Sequence, residues 1–136
     1  MRIDLAGVLL LLAASGAVQA ASPQDMLKEY EAQAKREKSG FAGFSAARGE
    51  QLFRAKHTVD GKEVSCTTCH TSDPRQAGKT RANKEIKPMA PSVNGERFTD
   101  KAKTEKWFKR NCGDVLKRTC TSEEKGDFIT FLLTVK

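Results

Sequence analysis

The chain has 136 residues and a formal net charge of +7 at pH 7, with 24 Lys and Arg against 17 Asp and Glu. A chain of this length is too short for several domains and fits one domain with a modest hydrophobic core. A large buried cofactor would add to that core. The charge is either a solvated surface or a surface that steers an acidic redox partner, and no block of basic residues interleaved with aromatics suggests nucleic acid.

The first residues predict a secretory signal peptide. Arg2 precedes an apolar run over residues 5–18, and a small-residue cleavage site ends at Ala20. We therefore expect a signal peptide over residues 1–20 and a mature domain over residues 21–136. The apolar run is short for a membrane span, so we expect no stable membrane insertion after cleavage. Export predicts a periplasmic protein, in a compartment where disulfides persist.

Four helices are predicted in the mature chain. The first begins at a capping box of Ser22 and Asp25, and the last at a capping box of Thr121 and Glu124. The other two are predicted over "SAARGEQLFRAKH", residues 45–57, and "FTDKAKTEKWFKRN", residues 98–111. Residues 71–94 are polar and predict a loop, and no strand signal is strong, so the chain is predicted to be all helix and loop.

The stretch "VSCTTCHTSD" carries Cys66, Cys69 and His70, just after a predicted turn. A thioredoxin-like dithiol needs a strand–helix unit, which the predicted elements lack. A zinc site needs a second close pair, and seven residues separate Cys112 from Cys120. Covalent haem needs two thiols for thioether bonds and an imidazole directly after them, which is the order found here. The motif therefore predicts one haem c, with His70 on the iron.

The surrounding helices resemble those of class I cytochromes c. Gly49 and Phe53 lie on the helix before the motif, and aromatic residues fill the C-terminal helix. In that family the two terminal helices cross, and a glycine allows close approach to an aromatic ring. We expect Gly49 and Phe53 to pack against Phe128, Phe131 and Leu132. The predicted fold is all-α, a class I cytochrome c-like helical fold around one covalent haem, with an extra N-terminal helix.

The ligand on the far side of the iron sets both the redox potential and access to the metal. The residues themselves leave four possibilities open: Met89, His57, Asn111 or no ligand. Met89 would give a plain electron carrier, but it lies only 19 residues beyond His70 and is expected to pack on the haem edge. His57 is interpreted as a surface histidine. Asn111 ends the third predicted helix, where its default role is a C-cap.

A wider resemblance bears on this choice. "SCTTCH", "AGKTRANKEIKPMAPSVNGERFTDKAKTEKWFKRNC" and "CTSEEKGDFITFLL" together resemble the sphaeroides haem protein (SHP) family over essentially the whole mature chain. The resemblance implies that His70 is the proximal ligand, that Asn111 is the sixth ligand of ferric haem and that Cys112 and Cys120 form a disulfide. It implies no ligand role for Met89. The related cytochrome c″ has a histidine in place of Asn111, which puts this chain with the asparagine-ligated branch.

The resemblance also implies a function. Asparagine leaves on reduction, so that ferrous haem binds a diatomic ligand such as O2 or NO, with electrons supplied by a dihaem cytochrome c. The alternatives are a plain carrier with Met89 on the iron, and an enzyme; no acid–base residue can be named, so turnover is not claimed. Trp107, one helical turn before Asn111, is expected on the inner face of its helix and against the haem. Three cations in the loop after the motif are candidates to pair with the haem propionates: Arg81, Lys84 and Lys87.

Overall fold

A computed structural model describes residues 21–136, and the predicted signal peptide lies outside the described residues. The helices are α1 (Pro23–Glu37), α2 (Ala46–Arg54), α3 (Thr67–His70), α4 (Lys101–Leu116) and α5 (Ser122–Thr134). The strands are β1 (His57–Val59), β2 (Lys62–Val64), β3 (Gly78–Lys79) and β4 (Glu85–Ile86). No helix within residues 21–136 combines the length and the apolar character that crossing a membrane requires.

Both predicted capping boxes are confirmed. At the start of α1, the Ser22 hydroxyl accepts from the Asp25 amide at 3.2 Å, and the Ser22 amide donates to the Asp25 carboxylate at 3.1 Å. At the start of α5, Thr121 and Glu124 exchange the same two bonds at 3.1 and 2.8 Å. Each box satisfies backbone amides that have no partner within the helix, which fixes where α1 and α5 begin.

The crossing of α2 and α5 is confirmed at the predicted residues. A Cβ added to Gly49 would lie 2.0 Å from the carbonyl oxygen of Asp127, so the two backbones are in direct contact. The Phe53 ring lies 6.0 Å from the Phe128 ring and 5.7 Å from the Phe131 ring, measured between centroids. Leu132 is fully buried beside them. Only glycine permits this approach, and the aromatic rings fill the space around it.

A buried carboxylate adds a polar link between the same two helices. Asp127 on α5 accepts from the Ser45 amide at 2.6 Å and from Arg48 Nε and Nη2 at 2.7 and 2.8 Å. Its side chain is 4% exposed. A buried carboxylate with three donors is well compensated, and Ser45 is also the N-cap of α2. The link therefore fixes the start of α2 against the middle of α5.

The extra N-terminal helix is tied to α4 and α5 through Tyr30. The buried Tyr30 hydroxyl donates to Glu105 at 2.5 Å, and Lys125 donates to the other oxygen of the same carboxylate at 2.8 Å. Burial raises the pKa of Tyr30, with a further contribution from Glu105, so the phenol stays protonated. One residue from each of three helices thus meets in a single network.

Two hairpins contradict the prediction that the chain contains no strands. Helix α2 ends at Arg54 instead of His57, and His57 opens β1, which pairs with β2. Asp60 and Gly61 form the two-residue connection with φ of 50° and 74°, the left-handed values of a hairpin turn. An Asp-Gly pair beside β-branched residues is a hairpin signal, and it outweighs the helical propensity of the preceding residues. A second, shorter hairpin pairs β3 with β4 inside the predicted loop, and the fold remains all-α in class.

The helix that carries Asn111 is longer than predicted. Asp100 caps α4 by accepting from the Lys103 amide at 2.9 Å. The helix continues to Leu116 and is capped by Lys117 in the left-handed conformation. The expected C-cap role of Asn111 is therefore wrong. Gly113 does not stop the helix, because the buried Cys112 on one side of it and the half-buried Leu116 on the other continue the apolar face.

Candidate haem site

The motif residues lie on one helical turn. The amides of Cys69 and His70 both donate to the carbonyl oxygen of Cys66, at 3.3 and 3.1 Å. Cys66 itself has helical dihedrals of −59° and −35°. Residues three and four positions apart on a helix share a face, so both thiols and the imidazole project in the same direction. This is the arrangement that two thioether bonds and one axial ligand require.

Contacts on either side hold this turn in place. The Ser65 amide donates to the Thr68 hydroxyl at 2.9 Å, which ties the residue before the turn to the turn itself. Thr71, directly after it, has a φ of 63°, which a β-branched residue rarely adopts, and its hydroxyl donates to the Asp73 carbonyl at 2.8 Å. A Cβ on Gly78 of β3 would lie 1.9 Å from the Cys69 carbonyl oxygen. The backbone of the motif is thus fixed by its surroundings.

The protonation states suit haem attachment. Cys66 and Cys69 are free thiols, and burial raises the pKa of Cys66 to about 11, so the thiol is neutral at pH 7. Burial, with a smaller contribution from the charge on Arg97, lowers the pKa of His70 to about 4. A neutral imidazole is the form that binds a metal. The buried Nδ1 of His70 has no hydrogen-bond partner among residues 21–136. This residue set fits haem c.

The other two cysteines are bonded to each other. Cys112 on α4 and Cys120 before α5 form a disulfide with Cα atoms 5.7 Å apart, and both residues are buried. They are therefore not available as zinc ligands beside the motif. Within residues 21–136 no group of three or more His, Cys, Asp and Glu side chains converges as a metal site. The motif cysteines stand alone as a pair.

Asn111 precedes the disulfide on α4. Its side chain is half-buried, and its amide has no hydrogen-bond partner among residues 21–136. Trp107, one turn earlier, is 39% exposed, with Lys106 and Arg110 5.8 and 5.5 Å from its ring centroid. Phe108, the next residue, is buried in the core, and its ring points in a different direction because consecutive helical residues lie 100° apart. Contact of Trp107 with haem stays a prediction.

The two remaining ligand candidates differ in their surroundings. Met89 is buried in the hydrophobic core cluster, and its contact with the haem edge stays a prediction. His57 is not the surface histidine that was expected: it is half-buried in β1, and its buried Nε2 has no partner among residues 21–136. The hairpin that sequence analysis missed is what draws this side chain inward.

Arg97 is a further residue beside the motif, and sequence analysis did not identify it as a candidate. Arg97, half-buried in the loop before α4, donates from Nε to the Pro88 carbonyl at 2.8 Å and from Nη2 to the Lys87 carbonyl. The segment that it holds is tied to the chain after the motif, because the amides of Met89 and Ala90 donate to the carbonyl oxygen of Pro74. In the sequence it is one of 24 cations, with no pattern that distinguishes it.

Comparison with known proteins agrees with this geometry. Residues 39–132 match a family described as a domain of unknown function, DUF1924. The chain is 45% identical over 112 residues to the cytochrome c-type protein SHP of Cereibacter sphaeroides, covering 82% of each chain. It is 46% identical over 88 residues to cytochrome c″ of Methylophilus methylotrophus, covering 63% of this chain and 61% of the relative.

The solved structures of both relatives have the same fold. The structure of oxidised SHP, described as an oxygen-binding cytochrome c, matches with a TM-score of 0.74 at 43% identity, over 83% of this chain and 96% of that one. Oxidised cytochrome c″ matches with a TM-score of 0.77 at 36% identity, over 84% and 94%. The chain therefore belongs to the DUF1924 family and is a haem c protein with the all-α cytochrome fold of SHP and cytochrome c″.

Proposed function

We propose that the chain is an exported, periplasmic monohaem c-type cytochrome in which His70 and Asn111 are the axial ligands. Asn111 leaves on reduction, which opens the iron to a diatomic ligand such as O2 or NO. The observation that carries this proposal is the half-buried Asn111 amide, which has no hydrogen-bond partner among residues 21–136. The description of the related SHP structure as an oxygen-binding cytochrome c supports the ligand class.

The chemistry of the amide supports release. An asparagine side chain is a neutral, weak donor compared with imidazole or thioether, so it holds the harder ferric ion better than the ferrous one. When bound, the haem supplies a one-electron redox change and a site for ligands. The chain contributes the position of the amide: Asn111 lies inside a 16-residue helix and moves only with its own rotamers or with α4. Its place in the helix interior explains how it can let go without unfolding a helix end.

The disulfide supports the same role. Cys112, the residue after Asn111, is covalently joined to Cys120, which immediately precedes the capping residue of α5. The bond closes a short loop and anchors the end of α4 to the start of α5. Bracing the segment next to the ligand keeps Asn111 within reach of the iron after release. Selective reduction that leaves ferrous ligand affinity unchanged would count against this part of the proposal.

The surface of α4 supports the proposal of an acidic redox partner, for which a dihaem cytochrome c is the proposed class. The exposed cations of α4 outnumber the two acidic residues of this helix, Glu105 and Asp114. The exposed cations are Lys101, Lys103, Lys106, Lys109 and Arg110. Such a surface accelerates association with an acidic protein in a salt-dependent way. We therefore infer that electrons enter near α4.

A paired charge substitution tests the partner surface. Replacing Lys103 and Lys106 by Gln should slow reduction by an acidic dihaem cytochrome c at low ionic strength and flatten its salt dependence. Replacing Lys28 and Lys35 of α1 removes the same charge elsewhere and should leave the rate near that of the wild type. Equal slowing by both pairs would mean that net charge, and not the α4 surface, matters.

Ligand identity is tested by a second matched pair of variants. Asn111→Ala should convert the ferric spectrum from low-spin six-coordinate to high-spin, because the sixth ligand is lost. Met89→Leu conserves volume at a buried position and should leave the ferric spectrum unchanged. A plain electron carrier predicts the reverse: a near-infrared charge-transfer band typical of methionine ligation, which disappears in Met89→Leu.

A further inference from the structure

The loop between β4 and α4 holds a half-buried positive charge that pairs with no carboxylate among residues 21–136. Arg97 is half-buried, and burial lowers the pKa of its guanidinium. Within residues 21–136, no Asp or Glu oxygen lies within 4.0 Å of it, whereas its neighbours Lys87 and Glu96 pair with each other at 3.4 Å. A cation removed from water without an anion is costly, so this site is incomplete as the protein alone forms it.

The guanidinium is nevertheless held in a fixed orientation. Nε and Nη2 donate to the carbonyl groups of Pro88 and Lys87, and the Pro88 carbonyl also accepts from Asn94 at 3.0 Å. Phe98, the next residue, is buried and has a φ of 62°, which bends the chain directly after Arg97. Two of the five guanidinium N–H groups are thereby used, and Nη1 has no hydrogen bond within residues 21–136. The free edge is available to a bidentate anion.

The position of this free edge points to the haem. Backbone bonds tie the segment that Arg97 clamps to the motif: the amides of Met89 and Ala90 both donate to the carbonyl of Pro74, four residues after His70, at 2.8 and 3.0 Å. Arg97 therefore lies on a segment that is bonded to the chain directly after the motif. Haem attached at the motif carries two propionates as its only anionic groups, and a planar guanidinium matches a carboxylate in shape and charge.

We propose that Arg97 would bind a haem propionate and would thereby orient the haem in its site. The three cations favoured by sequence analysis fit this role less well. Arg81, Lys84 and Lys87 are all exposed, and Lys87 is paired with Glu96. Exposed lysines bind a carboxylate only weakly, whereas a half-buried arginine with fixed orientation binds it strongly. The proposal rests on the haem c assignment and is independent of the Asn111 ligand.

The test uses the holoprotein and two readouts, the propionate bending frequency in resonance Raman spectra and the midpoint potential. Arg97→Gln removes the charge and should lower both, because the propionate loses a hydrogen bond and the added electron loses a nearby cation. Arg97→Lys keeps the charge and should retain most of the potential while lowering the Raman frequency. Lys87→Gln, the exposed neighbour, should change neither readout.

Two outcomes would overturn the proposal. In one, Arg97→Gln has the wild-type Raman frequency and potential. In the other, Arg97→Lys and Arg97→Gln lower thermal stability equally without moving the Raman frequency, which would mean that Arg97 only clamps the carbonyl groups of the loop. If Arg97→Gln does not fold, a structure of the wild-type holoprotein decides: a propionate oxygen within hydrogen-bond distance of the guanidinium supports the proposal, and a distant one overturns it.

Discussion

The α2–α5 crossing and the motif region make opposite use of their polar groups. At the crossing, the buried Asp127 carboxylate has three donors and the Gly49 backbone touches its partner helix directly. In the motif region, the buried Nδ1 of His70 has no hydrogen-bond partner among residues 21–136. The half-buried Arg97 has no carboxylate partner among the same residues. The polar groups of the crossing are paired within the protein, whereas those of the motif region are left unpaired by residues 21–136.

The difference separates stability from function within one small domain. The crossing follows from packing between α2 and α5, so changes there should alter stability and leave the haem spectrum intact. Changes in the motif region should alter the haem spectrum first. Substitutions in each region test this division, because stability and the haem spectrum can be measured separately for each variant.

The largest stability effect is expected for Gly49→Ala. The added Cβ would lie 2.0 Å from the Asp127 carbonyl oxygen and 2.8 Å from the Phe131 Cβ, so the two helices must separate. We expect a loss of about 3 kcal/mol in the free energy of unfolding, measured by denaturant titration. Gly113→Ala is the control, because a Cβ there meets nothing within 4 Å in another helix, and it should be neutral or slightly stabilising. Equal losses in both variants would contradict the close crossing.

Removing the disulfide should have the next largest effect, and it reaches both regions. Replacing Cys112 and Cys120 by Ala together opens a loop with a sequence separation of 8, which should cost roughly 2–3 kcal/mol in the chain-entropy model. Because Cys112 follows Asn111, we also expect a larger high-spin fraction in the ferric spectrum. A stability loss with an unchanged ferric spectrum would confine the disulfide to the protein framework.

Gly78→Ala should alter haem attachment more than stability. The added Cβ would lie 1.9 Å from the Cys69 carbonyl, so the turn that carries both thiols must shift. We expect a stability loss of about 1–2 kcal/mol and a lower fraction of chains with covalent haem, measured by mass spectrometry. Gly95→Ala, where a Cβ meets nothing within 4 Å, should match the wild type. Normal attachment in Gly78→Ala would show that the turn tolerates displacement.

The smallest effect on the free energy of unfolding is expected when the pH is lowered. Burial alone would raise the pKa of Glu105, but the hydrogen bonds from Lys125 and Tyr30 hold it below its ordinary value of 4.5. A lowered folded pKa gives stability that is present above the unfolded pKa and is lost as the pH falls through the folded pKa. Below about pH 4.5 the wild type should therefore lose stability more steeply than Glu105→Gln. Equal slopes for the wild type and Glu105→Gln would contradict the stabilising role of this network.

Local signals in the sequence predicted the capping boxes, the crossing residues and the attachment motif. Each depends on neighbours along the chain or on a single close approach, as at Gly49. The first hairpin was missed because Asp60-Gly61 was interpreted as an isolated turn, and His57 was misplaced with it. Arg97 could not be distinguished from other cations, since its burial results from bonds to Pro88 and Lys87 that exist only in the folded loop.

The identity of the iron ligand opposite His70 is the feature of the site that local sequence patterns predict least. A helix-interior asparagine has no sequence signature of metal binding, and its proposed role came from family resemblance. The optical spectrum of the wild-type holoprotein before and after reduction tests it most directly. The account predicts low-spin ferric haem that becomes high-spin on reduction and then shifts when CO or NO is added. Ferrous haem that stays low-spin and does not respond to either gas would contradict it.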